Sequence, residues 1–438
     1  MNTTFRTTAL LGLAPIALAV LEGCASQASR PAVPDRLPEF ISSQTPALQP
    51  YMKQLYAEGE RNAVLNFNSL GVAALVNGQP GLAGKAFDQS IQRIESVRTG
   101  GVDINAAKSK FSTEASKDFK GEPYEKAMTY YYRGLLYLHG GDYSNAAASF
   151  GQVNVEDSVA ESEAYQADFA SAKLLQAWSL RCAGELSTSD DLYRQALQMK
   201  PELKDVDFRK STIAIVESGG APVKLGTGKY NERLTWKEGA DDVSSYSLVA
   251  AGRALGEPVK AESLYYQAST RGGRPVEYLL QGKANFRDGA QTASEVGSAV
   301  ATAGLLNANL QQQAGNMHAA QTSSYVSLAA SLFSLASSAV EKSTTPAADT
   351  RAWDTLPGTI WLASPRLDGQ SIEQLRIRGA SAEGAAPQMV GRAKGCTVAW
   401  TRLSPLPTLR PSPVEAIDAS SESVARLRRF QGALPNVL

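Results

Sequence analysis

The chain has 438 residues, with 43 Lys and Arg balanced by 43 Asp and Glu, two His and three Cys. Zero net charge gives no long-range attraction for nucleic acid, and no basic cluster interleaved with aromatics occurs, so no nucleic-acid partner is expected. Three cysteines are too few for a disulfide scaffold, and two histidines too few for a His-rich zinc site.

Residues 1–23 read as a secretory signal peptide. Arg6 is the only charge ahead of an apolar run from Ala9 to Leu21, and small Gly23 precedes Cys24. Such a run is too short to span a bilayer stably and ends on a small-residue cleavage site. Leu21-Glu22-Gly23-Cys24 also resembles a bacterial lipobox, in which cleavage leaves the cysteine to be diacylated and then N-acylated with palmitate-like chains. Glu22 stands where such motifs usually carry a small or apolar residue. Three acyl chains exceed the two signals that stable anchoring needs. Ala25 follows the cysteine instead of the Asp associated with inner-membrane retention. The expected location is the periplasmic face of the outer membrane, lipid-anchored through Cys24, with a secreted or soluble periplasmic protein as the alternative.

Residues 24–46, rich in Ser, Ala and Pro, read as a lipidated N-terminus and flexible tether. Residues 47–210 then carry a helical pattern with repeats. Phe67, Leu70, Gly71, Ala74, Gly78, Ala83 and Phe87 follow the spacing of a tetratricopeptide repeat, and Tyr130, Gly134, Tyr137, Gly141, Ala146 and Phe150 follow it again. A weaker third copy has Leu180, Gly184, Tyr193, Ala196 and Pro201. Gly71 and Gly134 would let the paired helix approach, while Phe87 and Phe150 would fill the space between helices. The copies lie farther apart than the roughly 34 residues of tandem repeats, with an insertion from Thr99 to Glu122.

Residues 211–290 read as a mixed region with a β-hairpin element: Thr212 to Glu217 is β-prone, Ser218 to Pro222 a turn, and Val223 to Leu225 a return strand. Tyr246 to Val249 and Pro275 to Leu280 are further short strand candidates. Residues 291–345 read as an Ala/Ser-rich helical hairpin, uncharged from Val296 to Val340, that packs internally, oligomerises or meets the membrane. Residues 346–404 read as a small β domain with strands near Thr359 to Ala363, Gln374 to Arg378 and Thr397 to Thr401, followed by a Pro-rich tail and short helix over 405–438. Arg426, Arg428 and Arg429 in that helix read as a solvated helix end. The expected fold is therefore mainly α: a tetratricopeptide-like helical-hairpin array, an Ala/Ser-rich helical hairpin and a small antiparallel β element.

Catalytic motifs are missing. His139 and His318 have no Cys or carboxylate neighbour at ligand spacing. Gly84-Lys85-Ala86 and Gly226-Thr227-Gly228-Lys229-Tyr230 lack the Ser or Thr that a phosphate loop needs. No nucleophile elbow occurs. No enzyme, cofactor or metal is expected. Cys182 and Cys396, far apart in the chain, are expected as separate buried side chains, with pairing in an oxidising periplasm as the alternative.

The block from Ala348 to Ala363, the Tyr130–Ala146 repeat and Glu217 to Lys224 resemble an uncharacterised family of bacterial tetratricopeptide-repeat-containing lipoproteins with an Asp-Thr-Arg-x-Trp block near the C-terminus. The resemblance implies an envelope role, often beside lipoproteins similar to penicillin-binding-protein activators or curli-type secretion components, and implies no catalytic residues. Asp349, Arg351 and Trp353 alternate, so on an extended strand they share a face. They would brace the chain or form a ligand patch. The candidate partner-binding residues are Tyr130, Tyr137, Arg351 and Trp353. The expected function is a non-catalytic, lipid-anchored adaptor or scaffold that binds envelope proteins, such as lipoproteins encoded nearby, through its helices. A homo-oligomeric structural component built through Val296 to Val340 is the alternative, and an enzyme using scattered carboxylates the remote one.

Overall fold

The computed structural model describes residues 37–99, 118–158, 168–229, 231–240, 245–270, 348–379, 384–409 and 421–438. Residues 1–23, read as a signal peptide, Cys24, residues 100–117 of the insertion read over Thr99 to Glu122, the strand candidate Pro275 to Leu280 and the uncharged stretch Val296 to Val340 lie outside the described residues. Leu37 onward forms one compact unit.

Three helix pairs follow a short entry. Helices α1 (Leu37–Ser42) and α2 (Gln49–Glu58) lead in, and α1 falls inside the segment read as tether. The pairs are α3 (Ala63–Val76) with α4 (Pro80–Thr99), α5 (Pro123–Gly140) with α6 (Tyr143–Asp157), and α7 (Ala170–Ala183) with α8 (Leu186–Met199). Helix α3 is apolar on every side and buried on every side, as a helix inside a larger body must be. Helix α5 starts on Pro123, whose missing N–H costs nothing at a first turn. Glu125 reaches back to accept the Glu122 N–H at 2.7 Å, and Gly141 ends the helix at φ 73°. A Cβ on Gly71 would lie 2.6 Å from Phe87, and one on Gly134 2.8 Å from Phe150. Hydrogen at both positions is what lets the partner ring lie against the helix backbone.

The fold class differs from the mainly α expectation. A five-stranded mixed sheet runs through the middle, in the order β6-β7-β1-β10-β9. Its strands are β1 (Thr212–Ser218), β6 (Val259–Ser263), β7 (Thr359–Ala363), β9 (Met389–Ala393) and β10 (Cys396–Arg402). β1 pairs parallel with β10 and antiparallel with β7, so the sheet is not the antiparallel element expected. A ribbon of β2 (Val223–Thr227) with β3 (Arg233–Lys237), and a second sheet of β4 (Ser247–Ala250), β5 (Arg253–Gly256) and β8 (Leu375–Arg378), complete the strands. The regions read as separate, 211–290 and 346–404, thus build a single sheet. Its central strand β1 is buried along its whole length.

Alternation sorts the layers. Ile213 and Ile215 of β1, Ile360 and Leu362 of β7, and Val398 and Trp400 of β10 join the helices in one core. Ala214, Val216, Trp361 and Ala399 face the other way, onto Leu248 of β4 and Leu375 and Ile377 of β8. Helices, large sheet and small sheet form three layers. Helix α9 (Leu264–Ser269) follows β6, and α10 (Ser421–Val437) returns to the first helix pair. There Phe430 meets Phe67 edge-on at 6.1 Å, and Arg93 lies over both rings. Arg426, read as part of a solvated helix end, is bonded to both oxygens of Asp118 at 2.7 and 3.0 Å.

Helix array and sheet meet closely. A Cβ on Gly391 of β9 would lie 2.6 Å from the His139 backbone, and Tyr143 donates to the Ala393 carbonyl at 2.8 Å. Cys182 of α7 and Cys396 of β10 are joined by a disulfide, their Cα atoms 6.1 Å apart. The expectation of two separate thiols is overturned, because the sheet brings together positions 214 residues apart in sequence.

Candidate functional site

The densest chemistry is a chain of buried polar groups where α5 meets the sheet, the ribbon and the Asp-Thr-Arg-x-Trp block. Glu217 continues the helix-facing side of β1 and is fully buried. Its carboxylate accepts from Tyr132 Oη at 2.8 Å and Trp400 Nε1 at 2.9 Å, and Arg402 Nη1 lies 3.5 Å away. Burial raises the Glu217 pKa above the usual carboxylate value, while the Arg402 guanidinium and the two donors oppose that shift.

Lys224, on the inward face of β2, sits among acceptors. It donates to the Arg351 carbonyl at 2.7 Å and lies 3.3 Å from Glu125 and 3.4 Å from Glu122. Glu125 also accepts the Trp353 N–H at 2.8 Å. Its pKa is raised by burial, with Lys224 pulling it back and Glu122 adding to the rise. Arg351 forks onto Asp349 through Nε at 2.9 Å and Nη2 at 2.7 Å, and its Nη1 donates to Asn62 at 2.7 Å. The Phe119 ring lies 5.6 Å from the Lys224 ammonium and 5.4 Å from the Arg351 guanidinium, covering both cations.

Tyr132 joins the two halves. Its hydroxyl holds Glu217, while its ring stacks on Phe87 at 5.4 Å and tilts against Trp353 at 5.8 Å. Glu125 and Tyr132 are seven residues apart on α5, two turns along one face. The signal for this residue was present in the sequence as that spacing, yet the repeat pattern draws attention to its neighbours instead. Glu217 and Lys224, one at each end of a Gly-Gly turn, are likewise inward charges at the edges of apolar strands.

The sequence candidates fall as follows. Arg351 and Trp353 are 3% and 1% exposed and face the interior together with Asp349, as their alternation requires. Tyr130 is 5% exposed and bonds Glu95 at 3.0 Å. Tyr137 is half-buried under the Arg133 guanidinium, 4.0 Å from its ring. Cys24 lies outside the described residues. Between the first two helix pairs, where a helical-repeat protein would receive a ligand, Phe87 of α4 and Tyr132 of α5 are packed by this chain's own Trp353, with Leu356 in the same core. Chemically the arrangement is a brace, since its carboxylates are closed off from solvent and committed to donors of other elements.

Among the described residues, no group of three or more His, Cys, Asp or Glu is placed to hold a metal ion, and no helix is long and apolar enough to cross a membrane. No family model, curated protein or solved structure matches the chain.

Proposed function

We propose that this protein is a lipid-anchored adaptor of the bacterial envelope, held at the periplasmic face of the outer membrane by acylated Cys24. The observation that carries the reading is the fate of the cysteines. Of three, two form the Cys182–Cys396 disulfide, a bond that persists in oxidising compartments such as the periplasm, and the third is the lipobox residue. The resemblance to tetratricopeptide-containing lipoproteins points the same way. With the space between the first two helix pairs packed by the chain itself, partner contact falls to outward surfaces such as α6 and α8, where Val155, Leu186 and Met199 are exposed.

Crosslinking in living cells, with recovery of the tagged protein and mass spectrometry, tests the reading beside a Cys24→Ala control. A discrete envelope partner that is lost when the anchor is removed is the expected result. Recovery of the bait crosslinked only to itself would replace the adaptor with a self-assembling component.

A further inference from the structure

The β2–β3 ribbon has two unlike faces. Lys224 and Leu234 turn inward, and the opposite face presents Val223, Leu225 and Thr227 from β2. The register places Lys237 opposite Val223, Thr235 opposite Leu225 and Arg233 opposite Thr227, and directly opposed residues share a face. Val223 and Leu225 are 46% and 42% exposed, among the most exposed aliphatic side chains of the described residues. Arg233 and Lys237, one at each end of this aliphatic pair, are exposed and make no ion pair among the described residues. No strand position on the face carries an acid.

We propose that this face of the ribbon rests on an anionic lipid surface, its aliphatic pair entering the headgroup boundary and Arg233 and Lys237 meeting lipid phosphates. Aliphatic residues flanked by cations suit that environment, because long basic side chains keep their charge at the headgroups while their stems and neighbours reach inward. The inference rests on the anchoring proposed above. Cys24 lies 13 residues before Leu37, where the compact unit begins, and a chain of that length reaches at most about 45 Å. The body is thereby confined near the bilayer, where even a small two-cation face acts at high effective concentration. The ribbon is also held rigidly. Lys224 locks its inner face into the buried network, and Gly239 lies so close to Gly220 that a Cβ there would be 2.1 Å from the Gly220 carbonyl.

With Cys24 acylated and the other two cysteines paired, a Thr227→Cys change supplies the sole free thiol for a fluorophore. The acylated protein would be reconstituted into phosphatidylcholine vesicles with and without phosphatidylglycerol, each carrying brominated acyl chains as quenchers. A Thr188→Cys label on exposed α8 serves as the control. The expected result is quenching and a blue shift at residue 227 only in the anionic vesicles. Combined Arg233→Glu and Lys237→Glu should return it to the level of the residue 188 control, with the thermal midpoint unchanged. A label equally wet in both vesicles overturns the inference, whatever the variants do. Protection that grows with protein density and ignores phosphatidylglycerol overturns it in favour of a second copy. Protein that fails to join any vesicle overturns the anchoring itself, and this inference with it.

Discussion

Glu262 is buried without an ion pair among the described residues, and that sets its chemistry apart from the paired acids. It accepts from Gln267 Nε2 at 3.1 Å and from the Ser171 backbone and hydroxyl at 3.4 Å. Burial lifts its pKa from 4.5 to about 7, against the pull of those donors and of Lys200, with nearby Asp168 adding to the rise. A carboxyl whose folded pKa is raised binds its proton more tightly in the folded state. Its stabilising contribution is therefore complete below about pH 4.5 and is lost as pH rises through about 7. The shift corresponds to roughly 3 kcal/mol. Denaturant unfolding at about pH 8 and about pH 5 should show greater stability at the lower value, and Glu262→Gln, which mimics the protonated form, should flatten the difference. An unchanged pH slope in that variant would contradict the assignment. Arg351 presents the opposite case, a buried cation whose loss strands its partners. Arg351→Met should cost about 3 kcal/mol in a urea titration, and Arg351→Lys should recover little, since an ammonium cannot fork onto Asp349 while reaching Asn62.

At the scale of elements, the glycines of the helix pairs decide how closely helices lie. Gly71→Ala and Gly134→Ala each drive a methyl into an aromatic ring, and overpacking of this kind costs about 1–3 kcal/mol. Pairing Gly134→Ala with Phe150→Leu should recover part of the loss, whereas pairing it with Phe87→Leu should not. Thermal unfolding of that double-mutant cycle reads the difference, and equal recovery from both would remove the contact as the cause. This contact was legible beforehand, because a small residue on one helix and an aromatic on the next, at repeat spacing, is a local pattern. The same holds for single strands: the β-branched run at Thr212 and the apolar run at Thr359 carry their own periodicity. The buried brace was less legible. Tyr132 is the last of three consecutive tyrosines, its spacing from Glu125 does not single it out from the other two, and its partner Glu217 is 85 residues away. The alternation of Asp349, Arg351 and Trp353 shows that they share a face, but only the fold reveals that the face is turned inward.

The whole molecule is organised by contacts that no local pattern encodes. β1 finds β10 in parallel register, Thr212 beside Thr397, across the ribbon, the second sheet and all of 271–347. The strands were readable one by one, and their union into one sheet was not, because strand pairing at such separation leaves no periodicity in the sequence. The disulfide belongs to this scale, since it ties the last helix pair to β10 beside that parallel pairing. In the chain-entropy model a bond closing 214 residues stabilises by about 5 kcal/mol through restriction of the unfolded chain. Cys182→Ser with Cys396→Ser, or reduction of the intact protein, should therefore lower stability by about 2–5 kcal/mol. Differential scanning calorimetry with and without reductant measures this, and the double variant should show no further response to reductant. Helix–sheet docking has other supports in Tyr143, His139 and the Gly391 contact, so the reduced protein should remain folded at room temperature and lose its margin on heating. A melting point indifferent to both reductant and the double substitution would mean that the array and the sheet hold together without the bond.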